Sequence, residues 1–392
     1  MYGQEEEGMV KELIKNVFFG LFAVCVFFGA AELACRLKYE PVQHAYDGIF
    51  EYDKDKIYRL KSNIQDGWFA GRLVQTNSFG YRDREIPVEK DKNTLRILAI
   101  GDSVTFGHGI SVDDTYPERL ERLLNEKFGR YRFEVINTAV PGNSPFQEYY
   151  DLKRGLVFDP DIVIIQFVIN DVVEPYKIFR RYGGTGKDYH RVADVPYWHY
   201  ALSEKSAFYL FLQDIFLKIR FRALTQEDIR DRAVRDEIEL GWNAAADEPA
   251  NSKVQEAWEE CFRWLRREFQ LCRSRNIPCV LMASPVDFQF LDDSRTYAQK
   301  ALAKFAAENG VRYVDLLPVM REAARKQIIS KYSLNAETGF SELVATHKGD
   351  LEEFWRHFFL DYDHYSPRGS GAVAAVLYPV VTDLLKKKGF EM

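Results

Sequence analysis

Cysteine is scarce in this chain. There are five in 392 residues, and two of them, Cys25 and Cys35, fall inside one apolar stretch. That excludes a disulfide scaffold. Cys261, Cys272 and Cys279 read as plain core or surface thiols. A surplus of positive charge is also missing. Lysine and arginine number 53 against 59 acidic residues, for a net charge of −6, and no basic cluster stands out. A nucleic-acid footprint and a polybasic membrane patch are therefore not expected. Histidine is sparse and scattered, seven in all. His347, His357 and His364 lack the spacing of a metal set, so neither a metal nor another cofactor is expected. Repeats and low-complexity stretches are absent. The run Gly183-Gly184-Thr185-Gly186-Lys187 lacks the upstream glycine and the following Ser or Thr of a phosphate loop. Gly101-x-Ser103-x-Thr105 lacks the second glycine of a nucleophile elbow.

One long apolar run is present. Val17 to Cys35 is interrupted only by Glu32. At about 1.5 Å per residue it roughly matches a bilayer core. A soluble helix is rarely apolar on every side, which argues against a buried one. A cleaved signal peptide is the sharper rival, but the stretch is long for one. Glu32-Leu33-Ala34 before Cys35 also puts a glutamate where a lipoprotein signal wants an aliphatic residue. An uncleaved, single-pass anchor over residues 1–38 is the expectation. Lys11 and Lys15 before the run balance Arg36 and Lys38 after it, so charge does not set the orientation.

Residues 39–95 read as a connector leading into the domain, with a turn-rich stretch at Thr76–Asp83. Across residues 96–392 short apolar runs alternate with helical patterns. Strands are expected at Arg96–Ile100, Phe133–Asn137, Asp161–Phe167, Pro278–Ala283 and Val311–Val314. This alternation predicts an α/β fold, a flavodoxin-like three-layer α/β/α sandwich around a parallel sheet. Two insertions break the rhythm, at about 174–250 and 327–355. The first holds Ser206–Arg222, where Phe208, Leu212, Ile215 and Ile219 share one helical face. A lid or a membrane-facing surface is one reading of it. A helix packed on the domain's own core is the plainer one.

Ligands of such sheets bind at the carboxyl ends of the strands, and the residues with chemistry fall there. Ser103 follows the first strand as a candidate nucleophile. It needs a base and oxyanion donors. Asp361-Tyr362-Asp363-His364 offers His364 as base and Asp361 as its orienter. Asp363, next to the histidine, would more often point away. Gly142 follows the second strand and can bring a bare backbone N–H close to a ligand. Asn170 follows the third and can donate a side-chain N–H. His108 lies close enough to Ser103 to touch substrate, although a plain loop role is the simpler reading.

With Gly101-Asp102-Ser103, Gly142, Asn170-Asp171 and Asp361-x-x-His364 in that order, the chain resembles the SGNH/GDSL hydrolases over roughly residues 70–390. Asn77-x-x-Gly80-Tyr81-Arg82 and Asp315-Leu316-Leu317 look like a membrane-anchored bacterial branch of that family. The resemblance implies the SGNH hydrolase fold, with Ser103 as nucleophile, His364 as base and Asp361 as its partner. It implies an oxyanion hole formed by the Ser103 and Gly142 backbone N–H groups and the Asn170 side chain. One block departs from the family: Val168-Ile169-Asn170-Asp171 carries valine where glycine is usual. That predicts a pocket narrowed to a small acyl group or a tilted strand end. The expected protein is an extracytoplasmic (periplasmic) serine esterase held to the cell membrane by residues 17–35. Its substrate would be an O-acyl ester, acetyl on a surface glycan by resemblance. An O-acetyltransferase using the same triad with a sugar acceptor is the first alternative. A catalytically weak glycan-binding or envelope assembly module is the second.

Overall fold

The structure is a computed structural model. It describes residues 2–37, 49–53, 55–173, 241–249, 252–292 and 294–391, together with 202, 206–209, 211, 212 and 215. Most of the insertion at 174–250 lies outside the described residues, including Gly183–Lys187 and the end of the expected helix Ser206–Arg222. By their internal contacts the residues form two units, 1–47 with 195–230 and 48–194 with 231–392.

The first unit contains the long helix α1 (Tyr2–Arg36). Its segment Lys11–Arg36 is long and apolar enough to cross a membrane, and none of it is buried in the fold.

The second unit opens with two small antiparallel hairpins that the sequence did not announce. One pairs β1 (Phe50–Asp53) with β2 (Ile57–Leu60), the other β3 (Gly67–Phe69) with β4 (Arg72–Val74). Residues 49–53 and 55–95 fall in the same unit as the main sheet.

The main sheet holds β5 (Thr94–Ile100), β6 (Arg132–Asn137), β7 (Ile162–Phe167), β8 (Cys279–Ala283) and β9 (Arg312–Asp315). Their order is β6-β5-β7-β8-β9 and every pairing is parallel. This is the flavodoxin-like order, with its switch point between β5 and β7. β5, β7 and β8 are buried along their whole lengths. That suits apolar runs covered on both faces. The chain moves one way from β5 to β6 and back past β5 to β7. Right-handed crossovers then put the helices Tyr116–Lys127 and Pro145–Gly155 on opposite faces. Pro367–Lys387 packs on the former and Ser252–Ser274 on the latter. The insertion at 327–355 is helical. Its Leu343, Leu351, Phe354 and Trp355 are buried in the main core.

Candidate active site

β5 ends at Ile100, and Ser103 opens the short helix Ser103–Phe106 three residues later. The turn is tight. A Cβ on Gly101 would sit 2.4 Å from Thr105 Oγ1 and 2.6 Å from Gln166 Oε1, so only glycine fits. Asp102 caps the helix, its Oδ1 accepting the Val104 N–H at 2.9 Å.

His364 comes from the far end of the chain, in the loop before the helix Pro367–Lys387. Its Nε2 lies 2.8 Å from Ser103 Oγ, and its Nδ1 lies 2.8 Å from Asp361 Oδ2. Asp361 Oδ1 accepts the backbone N–H groups of Asp363 and His364 at 3.1 and 2.9 Å. One carboxylate thus shapes the loop and orients the ring. Burial opposes ionisation of Asp361, but its hydrogen bonds from His364 and that residue's charge outweigh burial and hold the carboxyl below the usual range. Burial also opposes the His364 cation. The Asp361 hydrogen bond and the charges of Asp363, Asp361 and Asp102 outweigh it, leaving the imidazole pKa raised.

Asp363 does not point away. It is 1% exposed, and its Oδ1 lies 3.0 Å from His364 Nδ1. That oxygen makes no hydrogen bond among the described residues, so the single Nδ1 proton is directed at Asp361. Burial, with the charges of Asp102 and Asp361, pushes Asp363 up to about 8. His108 is likewise drawn in. Its ring stacks on that of His364 at 4.1 Å and meets Phe69 edge-on at 5.5 Å. Burial, then the His364 charge, takes its pKa down to about 4, so it is neutral at pH 7. Asp361, Asp363 and His364 present ligand-type atoms within 4.8 Å of one another. Nδ1 is engaged by Asp361 and Nε2 faces Ser103, which describes a hydrogen-bonded relay. His347 is elsewhere, bonded to Thr346.

Asn170 follows β7. Its Nδ2 donates to Asp102 Oδ2 at 2.7 Å, which fixes the amide and leaves its second hydrogen for another acceptor. Asp171 braces the same turn by accepting the Val168 N–H at 2.9 Å. Val168 itself is fully buried in the main core, and its φ is not positive. Its bulk is absorbed by the core, the backbone there does not require glycine, and β7 keeps its register to Phe167.

Gly142 sits in the turn after β6, which hydrogen-bonds to Gly101 through the Val140 N–H. Its φ is +76°, which favours glycine, and a Cβ would lie 2.8 Å from Tyr58 Oη. No hydrogen bond among the described residues uses its N–H. The turn is clamped by the first hairpin. Tyr58 Oη donates to the Pro141 carbonyl at 2.9 Å. Lys56 Nζ is paired with Asp151 at 2.5 Å, and Asp151 accepts Asn143 Nδ2 at 2.6 Å. Arg82 plays a similar part on the other side. It donates to the carbonyls of Phe106, Gly107 and Ile110 and so holds the loop that carries His108. The Asn77–Gly80 turn that aims Arg82 was visible in the sequence. Lys56 and Tyr58 gave no sequence signal of a role here.

A cavity of about 440 Å³ lies elsewhere, by β9, lined in part by Lys300, Asp315, Arg321 and Phe340. It contains none of these residues.

A buried Ser–His contact at the carboxyl edge of a parallel sheet defines a class, the serine hydrolases. The chain belongs to the GDSL-like lipase/acylhydrolase family, whose model matches residues 99–330. It is thus a serine hydrolase acting on ester bonds. The match stops short of Asp361 and His364. Among curated proteins, an uncharacterized protein of Mycoplasma pneumoniae is 44% identical over 85 residues, 21% of this chain and 10% of that protein. An acetylxylan esterase of Xylanibacter ruminicola is 29% identical over 108 residues, 26% of this chain and 22% of that protein. The matched stretches therefore span a small part of either relative. Two solved structures are similar. One is a member of the lipolytic G-D-S-L family from Veillonella parvula, at 11% identity and TM-score 0.39, covering 74% of this chain and 98% of that one. The other is a catalytic mutant of an acetylxylan esterase from Geobacillus stearothermophilus, at 16% identity and TM-score 0.38, covering 76% and 95%.

Proposed function

We propose that the chain is a membrane-anchored serine esterase that removes an O-acyl group, acetyl, from a surface glycan. In this reading α1 is the single-pass anchor and the hydrolase unit is extracytoplasmic. The observation that carries the mechanism is the relay Asp361 Oδ2–His364 Nδ1, His364 Nε2–Ser103 Oγ, each link 2.8 Å. Ser103 Oγ attacks the ester carbonyl carbon while His364 Nε2 takes its proton. The oxyanion is held by the Ser103 and Gly142 backbone N–H groups and by the second amide hydrogen of Asn170. His364 then protonates the departing alcohol. Water, deprotonated by His364, resolves the acyl-enzyme and restores the serine. The depressed Asp361 carboxyl stays ionised throughout and stabilises the imidazolium. Acetyl as the acyl group is supported by the stretch shared with the acetylxylan esterase.

Ser103→Ala in the full chain is the direct test. Turnover of p-nitrophenyl acetate should fall by about 10⁴-fold or more, as when a triad member is removed, with the circular dichroism spectrum unchanged. Turnover unchanged in that variant would sink the mechanism.

A further inference from the structure

The apolar face of α1 carries one carboxylate, Glu32, close to the end of the helix. From residue 11 to 37 only Ala31, Glu32 and Cys35 are partly buried. With Phe28 they share one face, at the spacing i, i+3, i+4, i+7. Against that face lie Ser206, Ala207 and Phe208 of the first insertion. Glu32 Oε2 accepts the Ser206 hydroxyl at 2.8 Å and the Phe208 N–H at 3.0 Å, and Oε1 accepts the Ala207 N–H at 3.0 Å. Arg36 Nε also donates to Oε1, at 2.8 Å. The rings of Phe28 and Phe208 meet edge-on at 5.8 Å, and Ala207 is fully buried.

Each half of this contact would be costly alone. A carboxylate within a membrane helix is costly unless it is partnered. Helical backbone begins at Ala207, and the first N–H groups of a helix have no acceptor within it. Glu32 is satisfied by the Ser206 hydroxyl and in turn satisfies the Ala207 and Phe208 N–H groups. The segment is also suited to lipid in composition. Leu212 is exposed, and Phe211 and Ile215 are half-buried.

We infer that Glu32 is a socket that docks Ser206, Ala207 and Phe208 on the end of α1, and that the exposed apolar side chain of Leu212 beside them lies in the lipid interface. The chain then meets the membrane twice, once at α1 and once within the insertion after β7. The inference rests on the reading of α1 as a membrane anchor.

The full chain tests it in vesicles of phosphatidylcholine with phosphatidylglycerol. Cys25 and Cys35 are replaced by alanine, which leaves the buried Cys261, Cys272 and Cys279 as the remaining native thiols. Single cysteines at Leu212→Cys, Leu21→Cys and Val157→Cys then carry an environment-sensitive fluorophore, and spin-labelled lipids serve as quenchers. The label at 212 should be quenched by shallow labels, the label at 21 by deep ones, and the label at 157 by neither. Glu32→Ala should bring quenching at 212 down to the level at 157, while esterase turnover is unchanged and the label at 21 is unaffected. Quenching at 21 with none at 212 overturns the inference and leaves the anchor standing. No quenching at 21 overturns the anchor reading itself. Quenching at 212 that persists in Glu32→Ala removes Glu32 as the socket.

Discussion

At Nδ1 of His364 two carboxylates lie within 3.0 Å, and the direction of one N–H decides between them. Asp361 takes the proton, while Asp363 is buried beside it with no hydrogen bond to that oxygen. Asp361→Asn should lower kcat by about 10³–10⁴-fold, because the amide favours the wrong tautomer of the base. The base must be neutral to act, so activity falls as the pH drops through the His364 pKa. The Asp361 hydrogen bond and charge help to raise that pKa, while burial lowers it. Removing the charge should therefore move the acid limb of kcat/KM to lower pH. A limb that stays in place would show that Asp361 does not bear on the ring. The meeting of Ser103, His364 and Asp361 was legible because the proposed chemistry needs particular residue types, and Asp361 lies one short loop from the ring. Asp363 and His108 were not, since burial and stacking depend on what packs over them.

Among the elements, the strands of the main sheet could be read as apolar runs because both their faces are buried. β1 to β4 could not. They are three or four residues long and partly exposed, and only pairing with a neighbour makes them strands. Yet the first hairpin supports the Gly142 turn through Tyr58 and through the buried Lys56–Asp151 pair. Burial lowers the Lys56 pKa, and the charge and hydrogen bond of Asp151 counter it. Lys56→Met leaves Asp151 uncompensated and should cost about 3–5 kcal/mol in urea unfolding. Pairing it with Asp151→Leu should recover most of that loss while leaving kcat reduced, because Asn143 loses its acceptor. If the double variant is as unstable as the single one, the cost does not come from a stranded charge.

On the scale of the whole molecule, two helices meet at a pair of buried acids. Glu148 on Pro145–Gly155 and Glu268 on Ser252–Ser274 are fully buried, and their carboxyl oxygens have no hydrogen-bond partner among the described residues. Burial raises both well above the ordinary glutamate value of 4.5, and the Glu268 charge raises Glu148 further. The unfolded chain releases these protons near 4.5 and the folded chain holds them, so stability falls as the pH rises above that value. Glu268→Gln should therefore be stabilising relative to the native chain at pH 8, with the advantage shrinking toward pH 5. The limiting slope is about 1.4 kcal/mol per pH unit. Thermal unfolding across that range measures it, and an advantage independent of pH would contradict the assignment.

The sequence by itself determined the strand–helix alternation, the apolar length of α1 and the residue types at each strand end. These follow from local periodicity and from the chemistry that particular side chains can perform. Tertiary structure decided which carboxylate faces His364, that the bulk of Val168 goes into the core, and that Lys56, Tyr58 and Arg82 hold the turns around Gly142 and His108. It also gave Glu32 its partners in the distant segment 206–208. Such outcomes depend on which distant groups share a buried space, and the cost of an unpaired polar group there selects the arrangement.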